Sequence, residues 1–143
     1  RIDYYGRGPW ENYADRKDGA FLGRYRQSVE EQFYPYIRPQ ETGTKSDVRR
    51  WRQADMAGRG VEITAPEPFS ASALHYSRES LDEGLEKRQG HSQEITPDKA
   101  VWLSIDKAQY GLGCVNSWGA LPLPQYRLPY GDYDFCFLIR PVR

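Results

Sequence analysis

The sequence predicts an all-β protein, an antiparallel β-sandwich with at most one short helix. Runs of alternating or β-prone residues recur about every eight to twelve positions, and turn residues separate them, as in sandwich domains. The 143 residues include 13 Gly and 10 Pro, which favours many turns and short strands over long helices. A chain of this length builds one hydrophobic core, so we expect residues 1–143 to be a single domain or a fragment of one.

Strands are predicted where β-rich or alternating runs lie between turn residues. These runs are residues 21–29, 48–54, 61–64, 69–77, 101–106 and 132–141. The last two are the clearest, since large apolar side chains occupy every second position. Residues 55–60 and 129–132 carry Gly, Pro and Asp at turn spacing, so both segments predict hairpins.

One segment has helical character and another is typical of a long loop. Ser77 is a good N-cap for a short helix that contains Leu81 and ends near Gly84. Residues 34–43 hold two Pro and a final Gly, which disfavours a helix interior or a central strand. We therefore expect an extended loop that bends around the end of a sheet, and loops of this kind often carry sites.

Composition argues against several classes of function. The 20 Lys and Arg balance the 20 Asp and Glu, so no basic excess is present to bind nucleic acid. No apolar run approaches the roughly 18 residues of a membrane-spanning helix, and residues 1–10 lack a signal pattern, so we expect a soluble chain without a membrane partner. Because the single Met is Met56, we also expect a piece of a longer protein that holds further groups needed for chemistry.

The two cysteines predict no cofactor. Cys114 and Cys136 lie outside any CxxC or Cys/His cluster, which argues against a zinc site. We expect two unpaired, partly buried thiols. A disulfide between them stays open, because pairing requires Cα atoms within about 7 Å and a sequence contains no distances.

Three segments carry the residues best suited to a site, namely 4–20, 35–51 and 111–122. In the third segment, glycines flank Asn116, Ser117 and Trp118, which places one indole on a loop between strands. The C–H face of a pyranose stacks on an aromatic ring while Asn and Ser hydrogen-bond its hydroxyls, so the segment suits a sugar. The alternative is that Trp118 fills the end of the sandwich core.

The three segments also contain longer motifs in a fixed order. They are G-x-G-P-x-E-N-Y-x-D-R at Gly6, Gly8, Pro9, Glu11, Asn12, Tyr13, Asp15 and Arg16, P-Q-E-x-G at Pro39, Gln40, Glu41 and Gly43, and S-W-G at Ser117, Trp118 and Gly119. In these motifs the chain resembles the C-terminal β-sandwich domain of the large β-galactosidases of glycoside hydrolase family 2. The resemblance covers essentially the whole chain and corresponds to the latter half of that domain. One departure is Cys114, where the family commonly has a second glycine.

The resemblance implies a fold and an activity for the parent protein. The domain is part of a large sandwich similar to galactose mutarotase. Such enzymes hydrolyse terminal non-reducing β-D-galactose residues in β-galactosides with retention, using a pair of glutamates in a separate (β/α)8 barrel. Nothing in this chain resembles that barrel segment, so no catalytic residue is expected here and the isolated chain is expected to be inactive.

The resemblance also implies partners. A loop of the domain reaches over the barrel mouth, where Trp118 would stack on substrate as part of the wall for the aglycone or acceptor sugar, with Asn116 and Ser117 supporting the loop. The implied partners are the catalytic barrel, the other domains of the same chain and a galactoside, and the parent is expected to form a homo-oligomer. No cofactor is expected in this chain, while divalent or sodium ions fit the parent's barrel. A bacterial source is implied, with cytoplasm and periplasm both open.

Two other roles for the whole chain compete with this one. The first is an autonomous carbohydrate-binding module that retains sugar affinity without the barrel. The second is a structural or oligomer-forming domain in which Trp118 is buried. A fragment of a β-sandwich exposes unpaired strand edges, so we also expect this chain to self-associate.

A further alternative is acid–base catalysis of the mutarotase kind. It would use His75 or His91 with a carboxylate, Glu11 or Glu41. Simpler roles are favoured, with His75 as a hydrogen-bonded structural residue and both carboxylates as polar clamps at turns. The expected partners are loop backbone or Arg49 for Glu41, and Arg16 for Glu11 and Asp15.

Overall fold

The computed structural model describes residues 1–82, 84–86, 90–116 and 118–143, and its strands form one six-stranded antiparallel sheet. The strands are β1 (Ile2–Gly8), β2 (Phe21–Gln27), β3 (Lys45–Ala54), β4 (Gly60–Leu74), β5 (Trp102–Asp106) and β6 (Leu138–Val142). The α-helix in the described part is a single turn, α1 (Arg78–Leu81), and 3-10 turns span Glu30–Gln32, Ser92–Glu94 and Pro124–Tyr126. The predicted all-β, antiparallel class is confirmed.

The long strand β4 organises the sheet. The strand order is β2-β1-β3-β4-β5, and β6 also pairs with β4. The first part of β4, from Gly60 to Thr64, pairs with β6, while Ser70 to Leu74 pairs with β5. Both short strands therefore lie along the edge of β4 that faces away from β3.

One face of the sheet carries the hydrophobic core. Trp51 and Ile63 are fully buried, and the Tyr4 ring stacks on Trp51 at a centroid distance of 5.4 Å. Val29, Val101 and Phe135 lie outside the strands and pack against this face. One sheet with loops on its apolar face is consistent with one layer of a β-sandwich.

The opposite face carries paired charges. The Glu62 carboxylate lies between Arg50, at 2.6 Å, and Arg140. The hydrogen bond from Arg140, followed by that from Arg50, holds the pKa of Glu62 below its ordinary value despite some burial. Asp3 pairs with Arg26 at 2.6 Å on the same face.

Several predicted elements differ in the structure. Residues 2–8, for which no strand was predicted, form β1. The run 61–64 and residues 69–74 of the run 69–77 belong to one strand, whereas residues 75–77 lie beyond its end. Its register is irregular opposite Val48 and Arg50 of β3, where β4 carries extra residues that include two prolines. The final strand begins only at Leu138, and 129–132 makes no hairpin.

The smaller elements are confirmed more closely. Residues 55–60 form the predicted hairpin turn, in which the Asp55 carboxylate accepts hydrogen bonds from the N–H groups of Ala57 and Arg59. Ser77 caps α1 by accepting a hydrogen bond from Ser80 N at 3.1 Å. The helix is shorter than predicted, because it ends at Leu81. None of the described helices is long and apolar enough to cross a membrane.

Candidate functional site: an exposed tryptophan loop beside a buried polar clamp

The first two motif segments meet in a polar cluster, the clamp, where the chain leaves β1 and enters β3. Four of its members are at most 1% exposed. Buried polar groups require partners, and here the partners are other members of the clamp and adjoining groups such as the Arg7 carbonyl and Ser46, both bonded to Asn12. Its members are Glu11, Asn12, Tyr13, Glu41, Thr42, Thr44 and Lys45.

The Glu11 carboxylate joins the two segments. One of its oxygens accepts hydrogen bonds from Thr42 Oγ1 and Gly43 N, each at 2.8 Å, and the other accepts one from the Tyr36 hydroxyl. Gly43 has φ of 81°, and a Cβ there would lie 2.5 Å from the Gln32 carbonyl oxygen, so only glycine fits. The P-Q-E-x-G motif thus places a backbone N–H on the carboxylate of the first motif.

Glu41 is the second carboxylate of the clamp. It accepts a hydrogen bond from the Tyr13 hydroxyl at 2.7 Å and one from Thr44 Oγ1 at 2.6 Å. Burial, and then the neighbouring Glu41 charge, raise the pKa of Tyr13 well above its ordinary value. The phenol therefore stays protonated and acts as the hydrogen-bond donor to Glu41. The predicted partner Arg49 is wrong, because its guanidinium donates to the Asp47 carbonyl at 2.7 Å.

A buried cation lies near both carboxylates. Lys45 is 1% exposed, and its Nζ donates to the Gly43 carbonyl at 2.8 Å. Burial lowers the pKa of Lys45 to about 8, while the charges of Glu11 and Glu41 oppose that shift. Lys45 therefore offsets part of the negative charge that the clamp buries.

Asp15 connects the clamp segment to the third motif segment. Its carboxylate accepts hydrogen bonds from Leu112 N at 3.0 Å and Gly113 N at 2.8 Å. Burial would raise the pKa of Asp15, but these two N–H groups hold it below its ordinary value. The charge of Arg16 makes a smaller contribution in the same direction at Asp15. As a hydrogen-bond partner, however, the predicted Arg16 is wrong for both Asp15 and Glu11, whose described partners are other groups.

The loop that carries Trp118 is closed at its base. Gly111 N donates to the Tyr126 carbonyl at 2.8 Å. A Cβ on Gly111 would lie 2.8 Å from the Asp15 carboxylate and equally near the Tyr126 side chain, so the close approach requires glycine. Residues 111–126 thus form a loop whose ends meet and which a carboxylate from another segment holds in place.

The tip of the loop presents an exposed indole. Asn116 Oδ1 accepts hydrogen bonds from Trp118 N at 2.9 Å and Ala120 N at 3.4 Å, which folds the backbone around Trp118. Trp118 is 90% exposed, so the alternative that it fills the core is wrong for this chain. Ser117, predicted to support the loop, lies outside the described residues.

Cys114 occupies a conformation that usually favours glycine. Its φ is 55°, in the left-handed region, where a Cβ is sterically disfavoured. Cys114 and Cys136 are both free, as predicted, but both are exposed rather than partly buried. The described residues contain no cluster of His, Cys, Asp and Glu suited to a metal ion.

The histidines do not join the carboxylates. His75 Nδ1 lies 3.0 Å from the Asp98 carbonyl oxygen, and His91 Nδ1 lies 3.1 Å from that of Ile37. Among the described residues, neither histidine is hydrogen-bonded to Glu11 or Glu41. The structure therefore does not assemble the mutarotase-like acid–base pair, and His75 is the hydrogen-bonded residue that was expected.

Two functional contacts were missed from the sequence. Lys45 was placed in a motif segment but given no role, and nothing in its immediate neighbours marks it as buried. Asp15 was assigned a local partner, whereas its actual partners are 97 and 98 residues away along the chain. The only available signal was that both segments carry family motifs.

Comparison with known proteins gives one consistent family. A family model described as beta galactosidase small chain matches residues 1–139. A β-galactosidase of Streptococcus thermophilus is 36% identical over 99% of this chain and 14% of its own length. One from Lactobacillus delbrueckii subsp. bulgaricus is 40% identical over 87% of this chain and 12% of its own length. One from Priestia megaterium is 37% identical, again over 99% of this chain and 13% of its own length.

The motif segments that meet in the clamp and in the Asp15 contact are the segments that carried the resemblance. The match covers nearly all of this chain, and the chain spans only 12–14% of these relatives. The chain belongs to the beta galactosidase small chain family.

Proposed function

We propose that this chain is the part of a retaining β-galactosidase that supplies one wall of the active site. The whole enzyme hydrolyses terminal β-D-galactose residues, and its two catalytic glutamates lie in a barrel outside this chain. The observation that carries the proposal is an indole that is 90% exposed, on a loop whose base is hydrogen-bonded to Asp15 in the segment between β1 and β2. Any divalent or sodium ion of the enzyme belongs to the barrel.

Trp118, Asn116 and Asp15 have different roles in this proposed wall. Trp118 offers its ring face to the C–H face of the aglycone or acceptor sugar. Asn116 has a positioning role, because its side-chain oxygen already accepts hydrogen bonds from the backbone of the loop. Asp15 holds the loop base, so the indole keeps its position without contacts from the sugar.

The exposed surface supports docking on other domains of the parent chain. The accessible surface is 10071 Å², whereas a compact monomer of 16.6 kDa exposes about 7,600 Å². Many exposed apolar side chains lie between Tyr110 and Ile139, including Leu121, Tyr130 and Phe137. An apolar surface of this kind is typical of an interface. We place the barrel and the other domains against it.

The test uses the full-length enzyme with Trp118→Ala. Loss of one stacking surface should lower kcat/KM for lactose by about tenfold or more, because 1.4 kcal/mol corresponds to a factor of ten. Transfer of galactose to added glucose should fall further than hydrolysis, since the acceptor would lose its platform. The matched control is Trp10→Ala, which removes another exposed indole, 74% exposed, in a different segment.

Unchanged kinetics in Trp118→Ala would contradict the proposal. An effect of equal size in Trp10→Ala would contradict it as well, because the loss would then reflect general surface damage. Saturable sugar binding by the isolated chain would favour an autonomous carbohydrate-binding module, which no comparison supports. A homo-oligomeric parent and a bacterial cytoplasmic or periplasmic location belong to the same proposal.

A further inference from the structure

A second cleft lies on the outer face of the sheet, opposite the hydrophobic core. Its volume is about 600 Å³, within the range of small-molecule sites. The floor is formed by the last part of β4 and by β5, where Leu74 is paired with Trp102 and Ser72 with Ser104. Trp118 and Asn116 do not line it. The cleft is therefore distinct from the proposed active-site wall.

The walls of the cleft are held by contacts already described. One wall is the segment 38–42, which the clamp fixes through the hydrogen bonds of Glu41 and Thr42. The other wall is Tyr76 with the first residues of α1, and the Tyr76 ring packs on Phe33 at 4.3 Å. A cleft with fixed walls costs little ordering free energy when it is filled.

An aromatic surface is available inside the cleft. Trp102 is 47% exposed, although it pairs with a buried leucine in the sheet. Its indole N–H donates to the Asp98 carboxylate at 3.1 Å, so the ring is held in one orientation. The Asp98 carboxylate also accepts a hydrogen bond from Ala100 N at 3.1 Å, which fixes its position. An indole fixed in this way is a preformed stacking platform.

A carboxylate with spare acceptor capacity lies beside that surface. Asp106 follows Trp102 and Ser104 on the same face of β5, and within the described residues its side chain accepts a single long hydrogen bond, 3.5 Å from Gln109. Burial raises the pKa of Asp106, while Arg78 and Gln109 oppose the shift. A carboxylate has room for about four hydrogen bonds, so Asp106 lacks donors.

These groups favour one class of ligand. Four carboxylates line the cleft against two arginines, which disfavours an anion, and the described part of the chain contains no cluster of the kind that holds a metal ion. A neutral sugar supplies both things the cleft lacks, hydroxyl donors for a carboxylate and a C–H face for an indole. We propose that this cleft binds a neutral hexoside of one or two sugar units, with Trp102 stacking on the ring and Asp106 accepting its hydroxyls.

The test is photoaffinity labelling of the full-length protein with diazirine-bearing β-galactoside and β-glucoside. Trypsin cleaves after Lys99, Lys107 and Arg127, so the cleft peptide 100–107 separates from the Trp118 peptide 108–127. We expect label on 100–107 that excess unlabelled sugar prevents. Trp102→Ala and Asp106→Asn should each reduce it about tenfold, as expected for loss of a stacking contact or a charge-assisted hydrogen bond, and leave 108–127 unaffected.

The control variants separate this proposal from the proposed function. Trp118→Ala should leave label on 100–107 unchanged, and Trp10→Ala should change neither peptide. Absence of competable label on 100–107 with both probes overturns the cleft proposal, whatever happens on 108–127. Label that persists in both Trp102→Ala and Asp106→Asn overturns it too. If instead the proposed contact between Trp118 and sugar were wrong, competable label would be missing from peptide 108–127 alone, and label on 100–107 would be unaffected.

Discussion

Two tryptophans show how differently the two parts of this chain meet their environment. Trp51 in β3 is 0% exposed and stacks on Tyr4, whereas Trp118 is 90% exposed at the tip of a loop. Around Trp51, buried apolar side chains pack closely enough that the indole N–H of Trp51 itself stays without a hydrogen-bond partner in the described residues. Around Trp118, many apolar side chains between Tyr110 and Ile139 are exposed. The first region is organised for stability, and the second is organised for contacts that the chain alone does not supply.

The same substitution should therefore have opposite effects at the two tryptophans. Trp51→Ala should lower the free energy of unfolding by about 3–5 kcal/mol, because a large buried ring is replaced by a cavity. Trp118→Ala should leave it nearly unchanged, because an exposed ring contributes little packing. Urea unfolding of the chain, followed by circular dichroism, measures both. A comparable loss of stability in Trp118→Ala would show that the loop region is part of the core after all.

The clamp should be the next most sensitive place. Glu11→Ala leaves the hydroxyls of Thr42 and Tyr36 and the N–H of Gly43 without their acceptor, which should cost about 3 kcal/mol of unfolding free energy. The matched control is Glu67→Ala, which removes an exposed carboxylate paired with Lys107 at only 3.5 Å and should change nothing measurable. Equal midpoints for the two variants in urea would refute the role given to the clamp.

The contrast between the regions also explains what the sequence could predict. The alternation in 101–106 and the turn residues at 55–60 are local signals, and both elements formed where expected. Residues 132–137 alternate just as clearly, yet they make no strand, because among the described residues β4 pairs with this end of the chain only from Leu138 to Val142. Pairing is a long-range property that alternation alone does not contain.

The candidate site shows the same division. Trp118 was singled out because glycines and a family motif surround it, and the structure exposes it on a loop, while its contact with sugar stays a prediction. The partners of Asp15 and Glu11 were missed, because both carboxylates bond to segments that are distant in sequence and close only after folding. Lys45 was missed for a different reason, since its burial depends on two carboxylates from separate segments.

The buried lysine should give the clamp a characteristic pH dependence. With a folded pKa of about 8 against an ordinary value of 10.5, Lys45 loses its proton in the folded state first. Between those values the unfolded chain binds more protons, so the free energy of unfolding should rise with pH, by about 2 kcal/mol from pH 8 to 10. Above pH 10 the raised pKa of Tyr13 has the opposite sign and should reverse the rise.

Urea midpoints measured from pH 7 to 11 test that dependence. The Lys45→Met variant keeps a long apolar side chain and should lose the rising part of the profile while it retains the fall above pH 10. Lys107→Met, at an exposed lysine, serves as the control and should keep the wild-type profile. A rise of the same size in Lys45→Met would exclude Lys45 as its source.

The smallest expected effect concerns the contact that joins the two regions. Asp15→Asn keeps the size of the side chain but replaces one acceptor oxygen with a donor that faces the Leu112 and Gly113 N–H groups. Global stability should fall by only about 1 kcal/mol, because the rest of the loop base is closed by the Gly111 to Tyr126 hydrogen bond. Hydrogen exchange at the Leu112 and Gly113 amides should accelerate by about tenfold or more, while the amides of β3 stay protected.

Asp18→Asn provides the comparison, since Asp18 lies in the same segment and makes no contact with the loop in the described residues. If exchange at Leu112 and Gly113 were the same in Asp15→Asn as in the wild type, the loop would owe its position to its own glycines, and the sheet region would not orient Trp118 at all.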